Sequence, residues 1–143
     1  MKMKIFNHPH RSKMPKVYVV GFYPYPEALL NERAFEAPYE ALMATYGINW
    51  QLIDSPDELA WKSLPIIAVE EPTKHPDQVC IEDFEHPRDC IYIVGNTKHR
   101  WPSAWFDVDH RVYIPGPKWD APLYGSQAMS IVLYDRYKKN ADL

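Results

Sequence analysis

Five short runs of β-branched and aromatic residues set the frame of this chain. They are Lys16-Val17-Tyr18-Val19-Val20-Gly21-Phe22, residues 49–53, Ile66-Ile67-Ala68-Val69, Cys90-Ile91-Tyr92-Ile93-Val94-Gly95 and Val112-Tyr113-Ile114-Pro115-Gly116-Pro117. Each closes on glycine, proline or a charged turn, the punctuation of strands. The first, third and fourth are apolar almost without interruption, which suits strands buried on both faces. Helical or looped stretches separate the runs. That alternation predicts an α/β domain, a mainly parallel sheet with helices on both faces.

The connecting segments carry helix signals. Residues 27–46 are helical in character with a break at Pro38, and the better helix is 38–46, with Pro38 in its first turn and Gly47 as its C-terminal cap. Asp54-Ser55-Pro56-Asp57-Glu58 starts another helical turn, capped by Ser55 or Asp54. Residues 79–81 form a short extended piece. A final helix covers 126–139. Its apolar positions Ala128, Ile131, Val132 and Leu133 fall near helical spacing, and Arg136, Lys138 and Lys139 suit its negative end.

The chain has 143 residues, the size of one domain, and is 46% hydrophobic. Residues 1–16 carry Lys2, Lys4, Arg11, Lys13 and Lys16 and no acid, so a net charge of -3 resolves into a +5 arm on a -8 body. We therefore expect a basic arm over 1–16 and a single domain over 17–143. Such an arm either clamps a phosphate backbone or is a solvated terminus. No apolar run reaches the ~20 residues of a membrane span, and the start lacks the apolar stretch of a secretory signal, so a cytoplasmic protein is expected. Cys80 and Cys90 fit neither a disulfide framework nor a zinc pattern and read as reduced thiols. His8, His10, His75, His86, His99 and His110 show no ligand spacing, and no metal site is expected. Nor is there a GxGxxG, a P-loop or a GxSxG elbow.

Chemistry gathers at the ends of the runs. Val69-Glu70-Glu71-Pro72, Val94-Gly95-Asn96-Thr97 and Ile114-Pro115-Gly116-Pro117 would meet at one edge of a parallel sheet, with Leu123-Tyr124-Gly125-Ser126 leading into the last helix. Ligands of α/β folds lie at that edge. Backbone groups there can read an adenine and a ribose, and Gly95 and Gly116 permit close approach. The bland alternative is ordinary strand-end turns.

Cys90-Ile91-Tyr92-Ile93-Val94-Gly95-Asn96 resembles the strand-and-glycine motif of SpoU/TrmH-type methyltransferases of the SPOUT superfamily. Val112-Tyr113-Ile114-Pro115 resembles their Ile-Pro motif. Leu123-Tyr124-Gly125-Ser126-Gln127-Ala128 with Ile131-Val132-Leu133-Tyr134 resembles their Ser-Leu-Asn segment and its helix. The order and the eleven-residue step from Pro115 to Ser126 also agree. The resemblance implies a C-terminal deep trefoil knot, an S-adenosylmethionine site with S-adenosylhomocysteine as product, and a homodimer through the C-terminal helix. It implies methylation of a ribose 2′-hydroxyl in tRNA or rRNA. Carried over by position, the cofactor contacts are Val69, Gly95, Asn96, Ile114, Gly116, Leu123, Ser126 and Ala128, with Glu70 beside them.

The catalytic side departs from the pattern. Ala41 falls near the position of the family's arginine, and Arg33, one helical segment earlier, is the nearest substitute. Thr97, Pro122 and Tyr124 replace functional polar groups. Arg33, Arg100 and Tyr124 are the candidates for orienting the hydroxyl or its phosphate. The alternative is a catalytically silent SPOUT protein that binds cofactor or RNA. RNA would meet the arm, Lys98, His99, Arg100, Arg111 and Lys118, with Trp101, Trp105 and Trp119 stacking on bases or packing in a dimer core.

Overall fold

The computed structural model describes residues 14–23, 32–59, 63–73, 75–95, 101–116 and 123–140. The strands are β1 (Val17–Phe22), β2 (Asn49–Ile53), β3 (Ile66–Glu70), β4 (Gln78–Cys80), β5 (Cys90–Val94) and β6 (His110–Tyr113). They form one sheet in the order β2-β1-β5-β3-β6-β4. Every pairing is parallel. All carboxyl ends therefore share one edge and all amino ends the other. β5 is flanked by β1 and β3 and is buried at every residue, the reason its sequence is uniformly apolar.

Among the described residues two helices accompany the sheet, α1 (Glu32–Tyr46) and α2 (Gly125–Lys139). α1 starts six residues before the expected 38–46 helix, with Pro38 inside it. Pro38 is exposed, so the backbone bond it cannot donate is lost on the solvent side. Gly47, at φ 63°, ends the helix as expected. The Ile48 N–H donates to the Met43 carbonyl at 3.0 Å, the wrap that a left-handed residue permits. The turn after β2 is a short 3-10 helix over Pro56–Leu59. There the Glu58 carboxylate reaches back to the Asp54 N–H rather than to Ser55.

Alternation along the strands sorts the core into two layers. Val19, Trp50, Leu52, Tyr92, Val94 and Val112 pack with Tyr39 and Met43 of α1 and with Met129, Val132 and Leu133 of α2. Val20, Phe22, Ile53, Ile91 and Ile93 face the other way, against Leu59, Leu64 and Phe106. Among the described residues both helices thus cover one face, and 3-10 turns and loops cover the other. Ile131, read as a core position of α2, points outward at 40% exposure, while Met129 and Arg136 take buried places. Lys16, assigned to the arm, already belongs to the body. Its N–H donates to Asp89 Oδ1 and its carbonyl accepts from the Cys90 N–H. Residues 1–13 of the arm lie outside the described residues.

Candidate functional site

β5, β3 and β6 are adjacent, so their carboxyl ends bring Gly95, Val69-Glu70 and Ile114-Pro115-Gly116 to one place on the sheet edge. α2 starts at the same edge. A Cβ built on Gly125 would fall 2.9 Å from the Gly95 carbonyl oxygen and 3.1 Å from Val94 Cγ2. It would also stand 2.2 Å from the Tyr39 hydroxyl. Glycine here lets the first turn of α2 seat directly on the end of β5. Ser126 and Ala128 are then partly covered on that turn, and Leu123 is half-buried just before it. The Tyr124 N–H is held by Gln127 Oε1 at 2.9 Å, while the Tyr124 ring is 57% exposed.

Eight expected cofactor residues are described, and all lie at this edge. Val69 and Ile114 are buried walls. Gly95 is half-buried and Gly116 exposed, each presenting backbone without a side chain. Glu70 is 5% exposed, and its Oε1 accepts from the Ser103 N–H at 2.7 Å. Asn96 and Arg100 lie outside the described residues, as do Thr97, Lys118, Trp119 and Pro122. Arg33 is in the first turn of α1. Because α1 links two parallel neighbours, that turn belongs to the carboxyl edge and Tyr46 to the amino edge. Ala41, exposed, stands mid-helix. Tyr124 thus joins the strand ends, and Arg33 enters the same edge by topology.

The apolar walls, bare glycine backbone and helix start suit a neutral nucleoside. No carboxylate is needed to hold it, and Glu70 is engaged elsewhere. Tyr39, fixed between Gly21 and Gly125, went unread in the sequence. Burial holds its phenol well above the ordinary tyrosine range, with Tyr23 adding to the effect, so it stays neutral under the site. The doubled signal, a tyrosine on α1 and glycines in two separate elements, emerges only from the packing.

The opposite edge holds a network that sequence reading missed. His86, taken for a surface or loop residue, has a fully buried side chain. Its Nδ1 and Nε2 each lie 2.6 Å from an oxygen, Tyr92 Oη and Asp135 Oδ2 respectively. Asp135 can only accept, so Nε2 carries the proton and Nδ1 accepts from Tyr92. Arg136 donates to Tyr92 Oη at 3.2 Å. Burial pushes the His86 pKa down despite Asp135, and pushes the Cys90 thiol up. A polar tyrosine inside the run Cys90-Ile91-Tyr92-Ile93 was the available signal. A cavity of about 360 Å³ also lies at this amino edge, between the last turns of α1 and α2, and none of the expected site residues lines it.

Cys80 and Cys90 are both free thiols. Among the described residues no helix is long and apolar enough to cross a membrane.

No protein-family model matches the sequence, and no curated protein matches it significantly. Solved structures do. One is the SpoU methyltransferase AviRb from Streptomyces viridochromogenes, solved in complex with the cofactor AdoMet. It matches at TM-score 0.60 and 15% identity, over 98% of this chain and 67% of that one. A protein from Bacillus anthracis, assigned as an RNA methyltransferase, matches at TM-score 0.54 and 16% identity, over 87% of this chain and 94% of that one. The chain has the fold of a SpoU methyltransferase.

Proposed function

We propose that this protein is an S-adenosylmethionine-dependent RNA methyltransferase that modifies a ribose 2′-hydroxyl of tRNA or rRNA in the cytoplasm. The observation that carries the reading is the seating of α2 on the end of β5 through Gly125, beside the ends of β3 and β6. It builds a backbone-lined edge in a fold that a SpoU methyltransferase uses with AdoMet. Val69, Gly95, Asn96, Ile114, Gly116, Leu123, Ser126 and Ala128 would hold the cofactor. The segment before α2 would pass through the trefoil knot of that fold.

Bound there, S-adenosylmethionine supplies a methyl group on a sulfonium, a leaving group that needs no metal. The chain has to place the ribose oxygen in line and accept or stabilise its proton. Tyr124, exposed at the head of α2, and Arg33 and Arg100 are the residues for that work. The outer flank of α2 exposes Ile131, Tyr134 and Tyr137, an apolar strip that fits a homodimer through this helix.

A second reading is favoured by the departures on the catalytic side: Ala41 lies near the position of the SpoU pattern's arginine, and Thr97, Pro122 and Tyr124 replace its polar groups. A silent protein would bind cofactor or RNA and transfer nothing. Calorimetry with S-adenosylmethionine and S-adenosylhomocysteine tests the site, and absence of binding by both refutes it. Transfer of labelled methyl to total tRNA and rRNA, lost in Arg33→Ala or Arg100→Ala, supports catalysis. Cofactor binding without transfer to any RNA supports the silent protein.

A further inference from the structure

The segment 101–106 is an aromatic turn bonded to the end of the sheet. Its 3-10 helix spans Pro102–Ala104, with Trp101 at one end and Trp105 at the other. The Ala104 N–H donates to the Trp101 carbonyl at 3.0 Å, and the Trp105 and Phe106 N–H groups share the Pro102 carbonyl at 2.9 and 3.2 Å. Glu70, buried at the end of β3, accepts from the Ser103 N–H at 2.7 Å, a charge-assisted bond. Phe106 meets Phe22 edge-on at 5.0 Å, and Trp105 tilts against Phe22 at 5.4 Å. Yet Trp101 and Trp105 remain 40% and 46% exposed.

Phe22 belongs to the core layer opposite α2. A homodimer through α2 would use the opposite layer from this turn. Lys98, His99 and Arg100 immediately precede Trp101 in the sequence. Arg111 pairs with Ala68 across the β3–β6 ladder, two residues before Glu70, and by alternation with buried Val112 it is on the turn's face of the sheet.

Resting on the methyltransferase reading, we propose that Trp101 and Trp105 form a stacking platform for an unpaired RNA base next to the transfer site. Glu70 is the positioning residue that fixes this platform to the sheet edge. Every base has a π-face, so two exposed indoles recognise single-stranded RNA with little sequence preference. Duplex RNA keeps its bases stacked inside and offers the platform nothing.

The full-length protein is titrated with a single-stranded oligoadenylate of about twelve nucleotides and with its duplex, following tryptophan emission. Single strands should quench the emission and duplex should not. Trp101→Ala or Trp105→Ala should weaken single-strand binding about tenfold each, and Trp105→Phe should retain most of it. Glu70→Ala should weaken binding comparably, while Glu70→Gln, whose carbonyl still accepts from Ser103, should restore it. Cofactor calorimetry on the same variants separates the claims. Unchanged oligonucleotide affinity in both tryptophan variants, with cofactor still bound, overturns the platform and leaves the methyltransferase reading standing. Tryptophan-dependent RNA binding with no cofactor binding does the reverse. Sedimentation showing that the variants dissociate a dimer without changing RNA affinity would assign the indoles to an interface instead, and would also overturn the platform.

Discussion

Gly125→Ala perturbs the contact on which the candidate site rests. The added methyl would be 2.2 Å from Tyr39 Oη, 2.9 Å from the Gly95 oxygen and 3.1 Å from Val94 Cγ2. The first distance falls about 1 Å or more inside nonbonded contact. None of the three atoms retreats easily. Tyr39 is 1% exposed, and its hydroxyl is backed by Gly21, where a Cβ would come within 3.3 Å of it. Gly95 and Val94 end the central strand β5. Overpacking of this kind costs roughly 1–3 kcal/mol, and these fixed neighbours place it in the upper half of that range. The helix preference for alanine returns under about 1 kcal/mol at a first-turn position. A net loss of about 2 kcal/mol follows, equivalent to about 6–8 °C in Tm for a domain this size. Urea denaturation of Gly125→Ala, Tyr39→Phe and the double variant measures it. Tyr39→Phe removes the closest atom, so the double variant should recover about 1 kcal/mol, a coupling expected only between touching groups. If Gly125→Ala is within about 0.5 kcal/mol of the parent, or the two losses simply add, α2 is not seated on β5 through this glycine.

Two further outcomes follow from the packing. His86 is held neutral by burial, so its folded pKa lies below the unfolded value of about 6.5. The unfolded chain then binds the extra proton first, and stability should fall as pH drops below about 6.5. Thermal melts between about pH 5 and 7 check this, and in His86→Gln that slope should flatten. Gly47→Ala forces an L side chain to φ 63° and should cost about 1 kcal/mol in urea denaturation without altering cofactor affinity, since the amino edge is remote from the site.

Most of the sheet was legible because β1, β2, β3 and β5 are largely buried, and a buried strand writes itself as a continuous apolar run. β1, β2, β3 and β5 were read to within a residue or two at each end. The face covered by each helix was not legible. α2 has no clean apolar stripe: Ile131, Tyr134 and Tyr137 are outside while Arg136 is inside. A pattern built on apolar spacing misassigns such a helix, because what recommends Arg136 for burial is a set of distant carbonyls. The edge residues of the site were readable for a different reason. Val69, Gly95, Ile114 and Gly116 follow from where strands stop, a local property. Glu70's engagement with Ser103 spans 33 positions of chain and leaves no local trace.

That same helix explains how the two edges of the sheet are connected. The chain between β4 and β5 has only a short turn, Ile81–Asp83, to satisfy its own backbone. α2 and its cap residue supply what is missing. Lys139 donates to the carbonyls of Ile81, Glu82 and Phe84 at 2.8–3.0 Å. Arg136 donates to those of Pro87 and Arg88 at 2.6 and 2.7 Å. Asn140 reaches that of His86 at 3.5 Å. Six carbonyls of one loop thus accept from three side chains of one helix end, and of these Ile81 also accepts from the Phe84 N–H. Losing such partners leaves the carbonyls underserved and costs about 1–3 kcal/mol each where they are buried. The loop leads directly into β5, the strand on which the opposite end of α2 is seated. Arg136 is eleven residues from Gly125, about 16 Å along the helix. The anchoring of α2 at the amino edge therefore sets the height at which Tyr124, Ser126 and Ala128 meet the strand ends. Arg136→Met, which keeps the bulk and removes the donors, should loosen that height. It should weaken S-adenosylmethionine binding in calorimetry although no cofactor contact is assigned to Arg136. Unchanged affinity, with the stability loss present, would mean that the first turn of α2 is placed by Gly125 and Tyr39 alone.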